Sequence, residues 1–149
     1  MPASTPPHFW ARLSEPFDQL DLKWKPQSFV KRGPPKALLV PFVSSRAIQD
    51  RLDTVCGPDG WEDTYTRHPD GAVQCRLSIT VGGRTVHKQD IGAPSDIHPI
   101  KGAFSDALKR AAVKFGIGRY LYYLPPCFEV VKDGYPPNDS GIRVFSKKD

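Results

Sequence analysis

Between Val73 and Val81 the chain alternates without a break: Val73, Cys75, Leu77, Ile79 and Val81 are apolar, while Gln74, Arg76, Ser78 and Thr80 are polar. A period of two marks a strand with one buried face, and this is the clearest strand in the sequence. Trp61 to Arg67 alternates before it, across the turn residues His68-Pro69-Asp70-Gly71. Gly82-Gly83 is a hairpin signal that returns the chain through a third strand, Arg84 to Ile91. Three consecutive strands joined by short turns predict an antiparallel meander. Its polar positions predict a face that is either solvated or turned towards a partner.

From Ile100 the period changes. Ile100, Phe104, Ala107, Leu108, Ala111 and Phe115 fall on one side of a helix, with Lys101, Lys109, Arg110 and Lys114 rotated away from that stripe. Pro99 suits a first helical turn and Asp96 is the expected cap; Gly116 and Gly118 end the helix, and Pro125-Pro126 stops any continuation. Ser44 or Ser45 caps an earlier helix carrying Ile48, Leu52 and Val55, which ends at Gly57-Pro58. Ala37 to Val43 reads as a strand in which Pro41 points to an edge or a bulge. His8 to Leu22 holds a short amphipathic helix built on Phe9, Trp10, Leu13 and Phe17, interrupted at Pro16. Lys31-Arg32-Gly33-Pro34-Pro35 is a basic loop.

These elements predict an α+β fold, an antiparallel meander with helices packed on one face. Residues 1–7 read as a disordered arm, 8–131 as one domain and 132–149 as a tail. The length of 149 residues fits a single domain with a real core, and 39% hydrophobic with 25% charged residues is a globular composition. A net charge of +5 and a pI near 9.2 permit a polyanionic partner without requiring one. Cys56, Cys75 and Cys127 form no CxxC pair and read as buried or free thiols, which points to a reducing, cytoplasmic compartment. No apolar run is long enough for a membrane span.

Several chemistries fall away. There is no GxxxxGK[ST] phosphate loop, so ATP-driven action is not expected. His8, His68, His87 and His98 are isolated, which argues against zinc. No cofactor and no catalytic constellation is called for. Asp90 with His87 and Lys88 leaves a metal-dependent nuclease as one alternative, which needs further carboxylates converging on the site. A basic scaffold for an acidic protein is another. Asp106, one turn before Arg110, is expected to pair with it. Lys109, Arg110 and Lys114 complement the helix C-terminal dipole, so a solvated face stands beside an anion-binding one. Arg76, Lys101 and Lys114 are equally open between the two. Tyr120, Tyr122 and Tyr123 either close a core or subunit contact or stack on bases. Trp24, between Lys23 and Lys25, is a lid on the core or a binding residue, and Trp61 is expected to pack inside.

The string KGAFSDALKRAAVKFGIGRYLY, Lys101 to Tyr122, resembles the signature helix of the Rad52/Rad22 family of single-strand annealing proteins. WKPQS (Trp24 to Ser28) and SSRAIQDRLDTVCGPDGW (Ser44 to Trp61) agree with its bacterial and phage, DdrA-like branch. The likeness extends over most of residues 15–128. The resemblance implies a homo-oligomeric ring with single-stranded DNA in an outer groove. It further implies an ATP-independent, non-enzymatic role in double-strand-break repair: protecting DNA ends, 3′ ends among them, or annealing complementary strands, in the cytoplasm at the nucleoid. The family's Lys-Arg pair matches Lys109 and Arg110, and its basic residue before the first strand falls in the region of Lys31, Arg32 and Lys36. Longer members carry another basic residue where this chain has Val113; Lys114 follows it but points about 100° round the helix. The DNA-binding candidates are thus Lys109, Arg110, Lys31, Arg32, Lys36, Arg76, Lys101, Lys114 and Trp24.

Overall fold

The computed structural model describes residues 4–30, 36–96 and 98–130. In chain order these form α1 (Phe9–Ser14), β1 (Lys23–Val30), β2 (Lys36–Phe42), α2 (Ser45–Cys56), β3 (Trp61–Arg67), β4 (Val73–Val81), β5 (Arg84–Gly92), α3 (Pro99–Val113), a 3₁₀ turn (Arg119–Tyr123) and β6 (Cys127–Val130). The fold is α+β, with two three-stranded antiparallel sheets ordered β1-β2-β6 and β3-β4-β5. The chain divides into two compact units, Met1–Pro16 with Ser44–Tyr120, and Phe17–Val43 with Leu121–Asp149.

The first unit holds the meander. Gly82 and Gly83 both have positive φ, 61° and 73°, the backbone of a two-residue hairpin whose twist matches its strands. Val73, Cys75, Leu77 and Ile79 of β4 are buried, and α3 packs on β4 and β5. Gly92 sets how closely it packs. A methyl group there would sit 2.5 Å from the Ala103 carbonyl oxygen and closer still to the Ala107 nitrogen. Burial pushes the Cys75 thiol up to about 11, and pushes the Tyr65 phenol upward as well, with its hydroxyl donating to Asp63 at 2.6 Å.

Four sequence expectations need adjustment in this unit. The buried side of α3 is Ala103, Ala107, Leu108, Ala111 and Ala112; Ile100, in the first turn, is 60% exposed, and Phe104 is half-buried against the Tyr65 ring at 4.9 Å. Asp96 does not cap α3. His98 occupies that position, braced by the Ser95 hydroxyl, which accepts its N–H at 3.0 Å and donates to its carbonyl at 2.9 Å. Ser78 is buried, not solvated, because His87 from β5 covers it, Oγ to Nδ1 2.6 Å. Trp61 is only half-buried, held at the rim by donating to Asp53 at 2.8 Å. Elsewhere the expected signals act as read. Ser44 caps α2 by accepting the Ala47 N–H at 3.2 Å, and Gly57, with φ 81°, ends it. Gly116 and Gly118 follow α3 with φ 91° and 74°.

The second unit holds two strands that the hydrophobic pattern did not announce, β1 and β6, flanking β2. The register of β1 on β2 slips between Pro26 and Ser28, which makes Gln27 a bulge. β6 pairs with β2 only from Lys36 to Leu39, so Pro41 lies where β2 is paired on one side among the described residues. Residues 1–3 of the expected arm, the whole 132–149 tail and the loop carrying Lys31 and Arg32 lie outside the described residues. No helix among the described residues is long and apolar enough to cross a membrane.

Candidate nucleic-acid interface

Strand β5 is an edge of its sheet, paired only with β4 among the described residues. The register sets Leu77 opposite Lys88 and Cys75 opposite Asp90. Directly opposed residues share a face, so β5 puts two charges on the side where β4 is apolar. Inward-pointing charge on an edge strand discourages pairing with another chain and requires local compensation.

Helix α3 supplies that compensation. Asp106, Arg110 and Lys114 are each one turn apart and form a stripe along β5. Asp90 lies 3.7 Å from Arg110 Nε and 4.0 Å from Lys114 Nζ, with both basic side chains about half exposed. Lys114 also donates to the Gln89 carbonyl at 2.5 Å. Asp106, expected to pair with Arg110, instead accepts the Ala93 N–H at 3.2 Å, where the chain leaves β5.

Beside this stripe a surface cavity of about 590 Å³ is lined by Arg76, His87, Lys88, Gln89, Lys114 and Arg119. Four of the six are cations and none is a carboxylate. Arg76, His87 and Gln89 come from one face of the sheet, since Arg76 opposes Gln89 and Ser78 opposes His87; Lys88 comes from the other. The cavity therefore wraps the β5 edge. Arg119 reaches it because the chain turns back at Gly116 and Gly118, and its Nε donates to the Val113 carbonyl at 3.1 Å. Like charges gathered at a surface raise the local potential, and a polyanion relieves it.

The structure thus brings Arg76 and Lys114 together and sets Arg110 next to them through Asp90. Lys109 is half-buried, rotated about 100° from Arg110. Lys101 is exposed in the first turn of α3, roughly 14 Å along the axis from Arg110. Lys36, exposed at the start of β2, and Trp24, half-buried in β1, belong to the second unit. Tyr122 and Tyr123 are 69% and 81% exposed. Sequence reasoning named His87 and Lys88 only beside Asp90 in the nuclease alternative, not as DNA contacts, and did not select Gln89 or Arg119. Lys88 carried a readable sign, a cation at a core-facing position of an alternating strand. Arg119 carried none, because only the turn after α3 directs it to β5.

Among the described residues no group of three or more His, Cys, Asp or Glu side chains is placed to hold a metal ion. Asp90, on which a nuclease would depend, has two cations, Arg110 and Lys114, for ion-pair neighbours among the described residues.

A profile described as the Rad52/22 family double-strand break repair protein matches residues 8–140. Two curated relatives are each named single-stranded DNA-binding protein DdrA. The one from Deinococcus deserti is 44% identical over 121 residues, covering 76% of this chain and 56% of the relative. The one from Deinococcus radiodurans is 44% identical over 119 residues, covering 76% of this chain and 54% of the relative. The chain spans about half the length of these relatives.

Proposed function

The chain belongs to the Rad52/22 family of double-strand break repair proteins, and on that footing we propose that it binds single-stranded DNA through the basic surface around α3 and β5. One observation carries the reading: the cavity with four cations and no carboxylate adjoins Arg110 through the carboxylate of Asp90, on a helix whose Lys109-Arg110 resembles the family's Lys-Arg pair.

The grip is on the backbone. Arg110, Lys114, Arg119, Arg76 and Lys88 take phosphates, and Lys109 acts with Arg110. By family correspondence Lys31, Arg32 and Lys36 also contact DNA, and Lys101 and Trp24 are assigned further contacts. Phosphate contacts position a strand without reading it, so its pairing edges stay available. That is the requirement for annealing, and it serves end protection, 3′ ends included, equally well. No catalytic step, nucleotide or metal is involved. The protein acts as a homo-oligomeric ring in the cytoplasm, at the nucleoid, with residues 8–131 as its binding domain between an arm and a tail.

Fluorescence anisotropy with an oligo(dT) strand, in EDTA and without nucleotide, tests this. Binding is expected, weakening with salt at a log–log slope of about −0.7 per phosphate contact. A flat salt response, an absolute need for ATP, or DNA degradation on adding magnesium would overturn it. Binding that an acidic protein competes away and oligonucleotides do not would favour the scaffold instead.

A further inference from the structure

We infer that Trp10 forms a subsite for one unpaired nucleobase beside the phosphate-binding cavity. The inference rests on the single-stranded DNA reading. Helix α1 buries Phe9 and Leu13 in the core, yet its Trp10 stays 40% exposed. The indole is held on two sides. It lies parallel to the Phe115 ring, 2° between planes and 6.1 Å between centroids, and meets the Phe9 ring edge-on at 5.0 Å. An exposed aromatic fixed by its neighbours loses little freedom when a ligand stacks on it.

Its position is what selects the ligand. The Phe115 ring that contacts Trp10 also carries Lys88 Nζ, 5.5 Å from its centroid, and Lys88 lines the cationic cavity. Indole and phosphate-binding ammonium are therefore one ring apart, both belonging to the same compact unit. A flat apolar face beside a row of cations is the combination that single-strand binders use, with phosphate and base held by different chemistries. Stacking engages the face of a base and leaves its hydrogen-bonding edge untouched, so it tolerates any sequence and does not block pairing. In a duplex, base faces are already occupied by their neighbours, so the subsite favours unpaired strands.

The test compares oligo(dT) with an abasic oligomer of equal length and charge. Trp10→Ala is expected to weaken oligo(dT) binding about tenfold and leave abasic binding unchanged, with Trp10→Phe restoring most of the loss. Equal losses on both strands, or none on either, would overturn the subsite while leaving the phosphate grip intact. Failure of the wild-type protein to bind either strand would overturn the underlying reading too. Photocrosslinking of 5-iodouracil DNA to the wild-type protein removes any dependence on variant folding. An adduct on the peptide bearing Trp10 is expected, and adducts confined to other peptides would overturn the inference.

Discussion

Asp90 Oδ1 stands 3.7 Å from Arg110 Nε, so the edge strand offers the helix an internal carboxylate where an incoming phosphate would otherwise sit. The Asp90 side chain is 29% exposed and that of Arg110 49%. Pairs this accessible are screened by water and contribute at most about 1 kcal/mol. Asp90 holds the cation in place without sealing it off, and a polyanion can take over the contact.

Asp90→Asn should therefore tighten binding to single-stranded DNA, by about three- to tenfold at low salt, since it removes a competing charge beside two cations. Anisotropy titrations would show this, and weaker binding would mean that Asp90 chiefly orients Arg110. The same variant separates binding from nuclease chemistry. Any magnesium-stimulated DNA degradation that disappears with Asp90 would contradict a non-catalytic role.

Arg76→Ala, Lys114→Ala and Arg119→Ala should each weaken binding uniformly across sequences and flatten the salt dependence by about 0.7 in log–log slope. A variant that loses affinity with an unchanged slope would not be touching phosphate.

Gly92→Ala tests the packing that brings α3 to β5. Its methyl group would meet backbone atoms of Ala103 and Ala107, which cannot rotate aside. A loss of about 1–3 kcal/mol in urea unfolding is expected, with weaker DNA binding as the helix shifts. Wild-type stability would show that the close approach is not needed.

The buried Cys75 thiol gives the fold an alkaline limit. Its value rises from 9.0 to about 11, chiefly through burial. Well below pH 9 the thiol is neutral whether the chain is folded or not. Between pH 9 and 11 the unfolded chain loses the proton first, so stability falls as pH rises. Tyr65 is shifted in the same direction. Unfolding midpoints measured across that range should decline, and less steeply in Cys75→Ala. A flat profile would contradict the burial.

Much of this architecture was legible where periodicity is long and strict. Strand β4 and helix α3 each bury one side over many residues, so their patterns survive local exceptions. The Ser44 cap and the Gly116 and Gly118 terminators are local chemistry and read directly. β1 carries Pro26 and a bulge and β6 is only four residues long, so both depend on pairing with β2 rather than on any pattern of their own. Ile100 followed the helical stripe but lies in the first turn, where it stays exposed. The candidate site divides in the same way. Arg110 and Lys114 were visible on one helix. Their company was not, because Arg76, Lys88 and Arg119 come from two strands and a turn that only tertiary packing brings together.

The most direct measurement is oligo(dT) affinity of the Lys109→Ala/Arg110→Ala variant against wild type, with circular dichroism on both. An affinity loss of tenfold or more with an unchanged spectrum is the predicted result, the scale of losing charge-assisted contacts. Undiminished affinity in a folded variant would contradict a phosphate grip centred on α3.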